Sequence, residues 1–292
     1  MENWIQQRGY GKTSAVGAML AALALSACGG GGKGGADAAD ASMKVEAASG
    51  SNSAAIKVEG TSTSLSSDLK TLNVVTPPVT WGADGAFPPG TVRLTGRGYS
   101  PSALKEYAPG VYTKLPWGAQ DLSLSTGTVT DIAGNGQFAI GRWTAGSDSS
   151  GHTYNINQGR TWAVGAPVDV KLPLTGTNCT LVAATRPTAS DGNTAPGVLK
   201  GATAIVAGMR NSVGLIENRG ALTLQYSIGG DLDQTFSTVT PLGSMYTSRA
   251  SRSSLYTTFL GPDASKPYLV VSYGVHAPTV GLINGMAVLS CL

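Results

Sequence analysis

A chain of 292 residues with 40 glycines and only 13% charged residues has the texture of short strands and tight turns. Glycine supplies the positive φ angles that turns need, while a helical bundle would demand long runs of Ala, Leu, Glu and Lys. The net charge of +3 comes without a run of like charges, which excludes an electrostatic footprint for nucleic acid.

The chain opens with Arg8 and Lys12, then an uncharged run from Ala15 to Leu25. That run is too short to span a bilayer, which takes about 20 apolar residues. With its basic lead it reads as a signal peptide over residues 1–27. The run closes on Leu25-Ser26-Ala27-Cys28, and this closely resembles the lipobox of bacterial lipoproteins. The resemblance implies cleavage before Cys28, lipidation of its thiol, acylation of the new amine, and a membrane held through the lipid. Two or more acyl chains make a stable anchor where one binds only marginally. Gly29 follows rather than Asp, which by resemblance to enterobacterial lipoproteins implies sorting to the outer membrane. Whether the periplasmic or the outer face carries the protein stays open.

From Gly29 to about Val79 no aromatic residue occurs, and the composition is biased to Gly, Ala, Ser and Thr. Such a segment buries too little apolar surface to offset its ordering entropy, so residues 28–79 read as the lipidated cysteine and a flexible tether. Short alternations near Lys57–Gly60 and Leu72–Val75 offer at most an edge strand.

Aromatic residues resume at Trp81, and alternating runs then recur between Gly, Pro, Asn and Asp. Thr91–Thr95, Leu122–Ile132, Gln137–Thr144, Thr180–Thr185 and Val198–Ala207 have this pattern. The cleanest is Ala221–Ile228, where Leu222, Leu224, Tyr226 and Ile228 share one face. Leu255–Leu260, Tyr268–Val275 and Leu282–Leu289 complete the set. Ser102–Tyr107 suggests one helical turn, and Gly134-Asn135-Gly136 is a hairpin-turn signal. The fold class is therefore all-β. An antiparallel barrel of about eight strands is expected over 136–292, with an accessory β region over 80–135. One β-sandwich covering both is the alternative.

Lipidation takes Cys28 out of the thiol count, leaving Cys179 and Cys291 as a pair in an oxidising compartment, where a disulfide is expected. Neither has a His or Cys partner at ligand spacing, so no metal and no cofactor is expected. His152 and His276 read as exposed loop residues. No Gly-x-Ser-x-Gly or Ser-x-x-Lys motif supplies a persuasive nucleophile. Asp131, Asp148, Asp191, Asp231 and Asp233 sit in polar segments and read as turn formers. Candidate ligand-binding groups are Trp117, Trp143, Tyr154 and Trp162, with Tyr112 beside them, since exposed Trp and Tyr anchor interfaces. The other reading places them in the interior.

The run Phe259-Leu260-Gly261-Pro262-Asp263-Ala264, set before the strands Tyr268–Val275 and Gly281–Leu289, resembles the turn and strand order of transferrin-binding protein B and related surface lipoproteins. The resemblance spans roughly Gly136–Leu292. It implies a C-terminal β-barrel in a non-enzymatic protein that binds a host or envelope protein. A structural or assembly lipoprotein of the outer membrane and an envelope-polymer hydrolase are the alternatives. The lipobox makes a direct prediction. Wild-type protein should incorporate labelled fatty acid, and Cys28→Ser should abolish both labelling and normal processing. A wild-type chain that matures without label would refute the anchor.

Overall fold

The computed structural model describes residues 56–77, 95–117, 120–210, 212–248 and 250–292. The signal segment, Cys28, the tether up to residue 55 and the alternation at 91–94 lie outside the described residues. Two sheets carry nearly all the regular structure. The first is built from β1 (Lys57–Val58), β2 (Leu72–Val75), β3 (Thr95–Tyr99), β4 (Lys105–Ala108), β5 (Val111–Trp117), β6 (Gln120–Gly134), β7 (Phe138–Asp148), β8 (Thr153–Tyr154) and β9 (Arg160–Gly165). Its order is β3-β2-β9-β7-β6-β5-β4, with β1 beside β6 and β8 beside β7. The second comprises β10 (Thr177–Ala184), β11 (Thr188–Ala189), β12 (Val198–Arg210), β13 (Ile216–Ile228), β14 (Asp231–Pro241), β15 (Met245–Ser248), β16 (Ser253–Leu260), β17 (Tyr268–Ala277) and β18 (Gly281–Cys291). Here the order is β14-β13-β12-β10-β18-β17-β16-β15, with β11 added beside β18. This is the expected eight-stranded antiparallel barrel, nearly closed. Its seam lies between β14 and β15, which follow one another in the chain without pairing.

The first sheet is a half-barrel that reaches beyond the region expected for it. The turn at Gly134-Asn135-Gly136 is a hairpin as the sequence suggests, with Gly136 at φ 86° and Asn135 Oδ1 accepting from Gln137 N at 3.0 Å. It joins β6 to β7, so both belong to the half-barrel, and the sheets part between Gly165 and Thr177 rather than at 135–136. The start differs as well. The alternation at Leu72–Val75 forms β2, an inner strand between β3 and β9 with all four residues buried. Ile56, Val58, Leu65 and Leu69 pack on the core formed by Tyr112, Leu115, Leu122, Trp143 and Trp162. Composition concealed this because Ile56, Val58, Leu65 and Leu69 are scattered singly among Ser, Thr and charged residues, and only the waiting sheet face makes their burial worthwhile. The turn suggested at Ser102–Tyr107 is shorter: a single 3-10 turn covers Pro101–Ala103, and β4 then pairs with β5.

The barrel is filled, not hollow. Along β13 the buried residues are Leu222, Leu224, Tyr226 and Ile228, while Gln225 is exposed. Val206, Leu255, Tyr273, Val275, Ile283 and Leu289 join them in one interior cluster. This is the reverse of a membrane-spanning barrel, whose apolar side chains face outward. Tyr273 lies opposite Gly285 across the ladder, and a Cβ on Gly285 would stand 2.3 Å from its hydroxyl. Glycine is therefore required there by close approach of the ring.

β16, β17 and β18 are buried on both faces. Their inward side chains fill the barrel. Their outward side chains, among them Tyr256, Val270, Met286 and Val288, pack against Phe138, Ile140, Ala163 and Val75 of the half-barrel. Hence β17 and β18 carry long apolar runs rather than clean alternations, while β16 buries Ser and Thr beside its apolar residues.

Cys179 on β10 and Cys291 on β18 form a disulfide, with Cα atoms 4.0 Å apart. They face one another in register. The neighbouring pair carries the hydrogen bond, from Leu292 N to Asn178 O. The cysteines thus occupy a non-hydrogen-bonded position, where side chains approach most closely. The bridge closes a sequence separation of 112. The chain-entropy model gives at most about 4–5 kcal/mol for a loop of that order. The unreduced, denatured protein should show no free thiol at these positions, and Cys291→Ser should lower the melting temperature. Reactive thiols at both positions would refute the bridge.

Candidate functional site at the junction of the two sheets

An ion cluster with a buried Arg142–Asp131 pair and an exposed Arg186 ties the sheets together. Asp131, at φ 54°, sits where the β6–β7 register shifts. Its Oδ2 accepts from Arg142 Nε at 2.7 Å and its Oδ1 from Arg186 Nε at 2.7 Å. The backbone N of Arg186 donates to Oδ2 at 3.1 Å, and Arg142 Nη1 donates to Gln158 O at 2.9 Å. Arg142 is 1% exposed, and the carboxylate and carbonyl take the place of the water its guanidinium has lost. Asp131 is therefore a clamp between the half-barrel and the segment after β10, not the turn former its surroundings suggested.

Two clefts open beside this junction, one near each end of β2. The smaller, about 320 Å³, has Pro77, His152, Tyr154, Arg160, Ser190 and Asn284 in its wall. Asp148 organises its floor. The side chain of Ser150 donates to Asp148 Oδ1 at 2.5 Å and its backbone N does so at 2.9 Å, the turn-forming role expected of this aspartate. Tyr154 Oη donates to Asp148 Oδ2, and Arg160 Nε reaches the same oxygen at 3.0 Å. Burial opposes ionisation of Asp148, but these hydrogen bonds and the Arg160 charge outweigh it and hold the carboxyl below its ordinary range. Burial pushes the Tyr154 phenol upward.

Ser150 Oγ also lies 2.8 Å from His152 Nδ1, so serine, histidine and aspartate stand together. Their order is wrong for a nucleophilic relay, in which the acid orients the base and the base takes the serine proton. Here the acid touches the serine. The single hydroxyl proton is directed at the carboxylate, the stronger acceptor, and the imidazole has nothing to remove.

The larger cleft, about 650 Å³, takes its walls from both sheets and from the segment between them. Asn73 of β2 and Arg97 of β3 face Asn218 of β13, Asp169, Leu242 and Phe259. Arg97 spans the cleft and donates from Nη2 to Gly243 O at 3.1 Å. Arg97 and Asp169 are exposed, while Asn73 and Phe259 are buried. The cleft therefore offers a cation, an anion and two amides around an apolar floor. The sequence carried no sign of it, because its residues come from six separate stretches between 73 and 259 and none belongs to a motif.

The aromatic candidates divide. Trp143 and Trp162 are wholly buried and cannot reach a ligand. Trp143 Nε1 donates to Tyr112 O at 2.8 Å, and Tyr112 meets Trp162 edge-on with centroids 5.7 Å apart. Trp162 also lies over Gly141, where a Cβ would stand 2.4 Å from the ring. They are the core of the half-barrel. Trp117 ends β5, and its side chain is outside those described. Tyr154 alone faces a cleft. His152 and His276 are exposed, as expected. Asp191 forms a turn with Asn193 N at 3.0 Å, whereas Asp231 accepts from Thr279 N and Val280 N and so pins the β17–β18 turn. Among the described residues no three His, Cys, Asp or Glu side chains gather as metal ligands.

The chain was compared with protein-family models, with curated proteins and with solved structures, and none matches it.

A pH test follows for the smaller cleft. Because the folded-state pKa of Asp148 is depressed, its contribution is complete above the ordinary Asp value of about 3.9 and fades as pH falls through the folded value. Asp148→Asn should lower stability at pH 7 by about 1–3 kcal/mol, with the gap between variant and wild type closing below about pH 4. Urea melts at both pH values measure this, and a gap that stays constant would contradict the assignment.

Proposed function

We propose that this chain is a non-enzymatic binding lipoprotein of the bacterial envelope, anchored at the outer membrane through Cys28. On this reading the half-barrel and barrel together form the binding body. The lipobox residues Leu25-Ser26-Ala27-Cys28 support the anchor. The reading places the chain beside transferrin-binding protein B-like surface lipoproteins, whose turn the Phe259–Ala264 segment resembles.

The observation that carries binding is the larger cleft. Arg97 and Asp169 offer charge of both signs, the amides of Asn73 and Asn218 offer donors and acceptors, and Phe259 supplies an apolar floor. A few convergent polar groups around an apolar base are what orient a bound molecule. Donor and acceptor together suit a ligand with hydroxyl and carboxylate groups, displayed by a host or envelope molecule. The arrangement of Ser150, His152 and Asp148 favours this reading over a hydrolase.

The test is a thermal-shift screen of saccharides and carboxylates against the full chain. A ligand near one hundred times its Kd should stabilise the protein by about 2.7 kcal/mol. Arg97→Ala, on the exposed surface, should leave the ligand-free melting temperature nearly unchanged and remove the shift. A shift that survives in Arg97→Ala, or no shift with any compound, would count against the cleft as the binding site.

A further inference from the structure

The tip of the β12–β13 hairpin is apolar where a turn should be polar. Loop backbone meets water, so turns ordinarily carry polar side chains. Here Gly214, at φ 83°, makes the bend between Val213, 75% exposed, and Leu215, 65% exposed. Ile216 is also exposed, and it converges with Leu174 on Gly208, each having an atom within 4 Å of a Cβ built there. Exposed Met209 lies one register position away, which by strand alternation puts it on the opposite face of the hairpin from Ile216. Two separate stretches of chain thus build one exposed apolar knob.

The apolar surface has a sharp lower limit. On the outer face of β12, β13 and β14 the row Ile205–Ala221–Val239 is apolar. The next row away from the tip is Thr203–Thr223–Ser237, where the Thr223 and Ser237 hydroxyls lie 3.0 Å apart. Between knob and row is a groove of about 460 Å³ lined by Met209, Arg210, Ser212, Glu217, Arg219 and Val239. It holds two guanidiniums against one carboxylate, and Glu217 is already engaged by Arg219 at 3.4 Å. Arg210 Nη1 donates to Gly214 O at 3.2 Å, which fixes its guanidinium at the base of the knob.

We propose that this end of the barrel docks on an anionic phospholipid bilayer, the knob entering the interface and Arg210 and Arg219 meeting headgroup phosphates. An exposed apolar tip beside an excess of guanidinium charge is complementary to a bilayer whose apolar interior lies beneath anionic headgroups. Apolar insertion ringed by cations is how interfacial elements bind anionic lipid. The contact is separate from the lipid at Cys28, so it stands or falls independently of that anchor.

The chain from Gly29 onward, which has neither the apolar run Ala15–Leu25 nor an acyl chain, is sedimented with vesicles of phosphatidylcholine alone or mixed equally with phosphatidylglycerol. It should sediment with the mixed vesicles and remain in solution with the neutral ones. Val213→Asp with Leu215→Asp should weaken partitioning on the order of tenfold, and so should Arg210→Gln with Arg219→Gln, the latter effect vanishing at high salt. The second pair alters only exposed charges and serves as the test if the first fails to fold. A parent chain that stays in solution with both vesicles would overturn the proposal. So would variants that bind as the parent does, or a loss of sedimentation traced by gel filtration to a broken dimer.

Discussion

The structure depends on burying both faces of β16, β17 and β18. A barrel strand ordinarily has one dry face and one wet one. These three have none wet, because Phe138, Ile140 and Ala163 of the half-barrel cover what the barrel leaves exposed. The same strands thereby belong to two cores. Neither sheet can lose the other without exposing Val270, Met286 and Val288, which are fully buried. Such an exposed apolar patch would be an aggregation liability or an interaction site.

That shared face also explains why polar groups gather at its margins. The segment after β10 must pass the bend in β6, and it does so by giving Arg186 to Asp131, which Arg142 already holds. At the other side Ser272 donates to Thr76 O at 2.8 Å, and Asn135 Nδ2 reaches Tyr268 Oη at 2.9 Å. The Ser272 bond satisfies groups that packing strands away from water, where an unmet donor or acceptor costs about 1–3 kcal/mol. The clefts are what remains where two curved sheets cannot meet, and their polar lining follows from lying at the edge of the contact.

The two proposed contacts divide along the same lines. The junction clefts draw on strands of both sheets and on the loops between them, which converges polar groups from distant segments around one ligand site. The β12–β13 tip is convex and lies on barrel strands that the half-barrel does not cover. In β16–β18 the outward positions are sealed, whereas in β12–β14 they face solvent, so surface chemistry is free to vary there. The disulfide stands between these regions, tying β10 to β18 and so joining the open side of the barrel to the sealed side.

The local pattern of residues determined the strand-forming segments, the Asn135 turn, the all-β class and the pairing of Cys179 with Cys291. Alternation and turn chemistry act over a few residues and survive in any context. The roles of Trp143 and Trp162 were decided by the fold alone. An aromatic residue near a strand end anchors a ligand or plugs a core according to which sheet covers it, and that sheet is assembled from distant segments. The same reason hid the half-barrel's claim on β2, β7 and β9, the use of Asp131 as a clamp, and the larger cleft. Burial is a property of two surfaces in contact, and a sequence written along one dimension displays only one of them at a time.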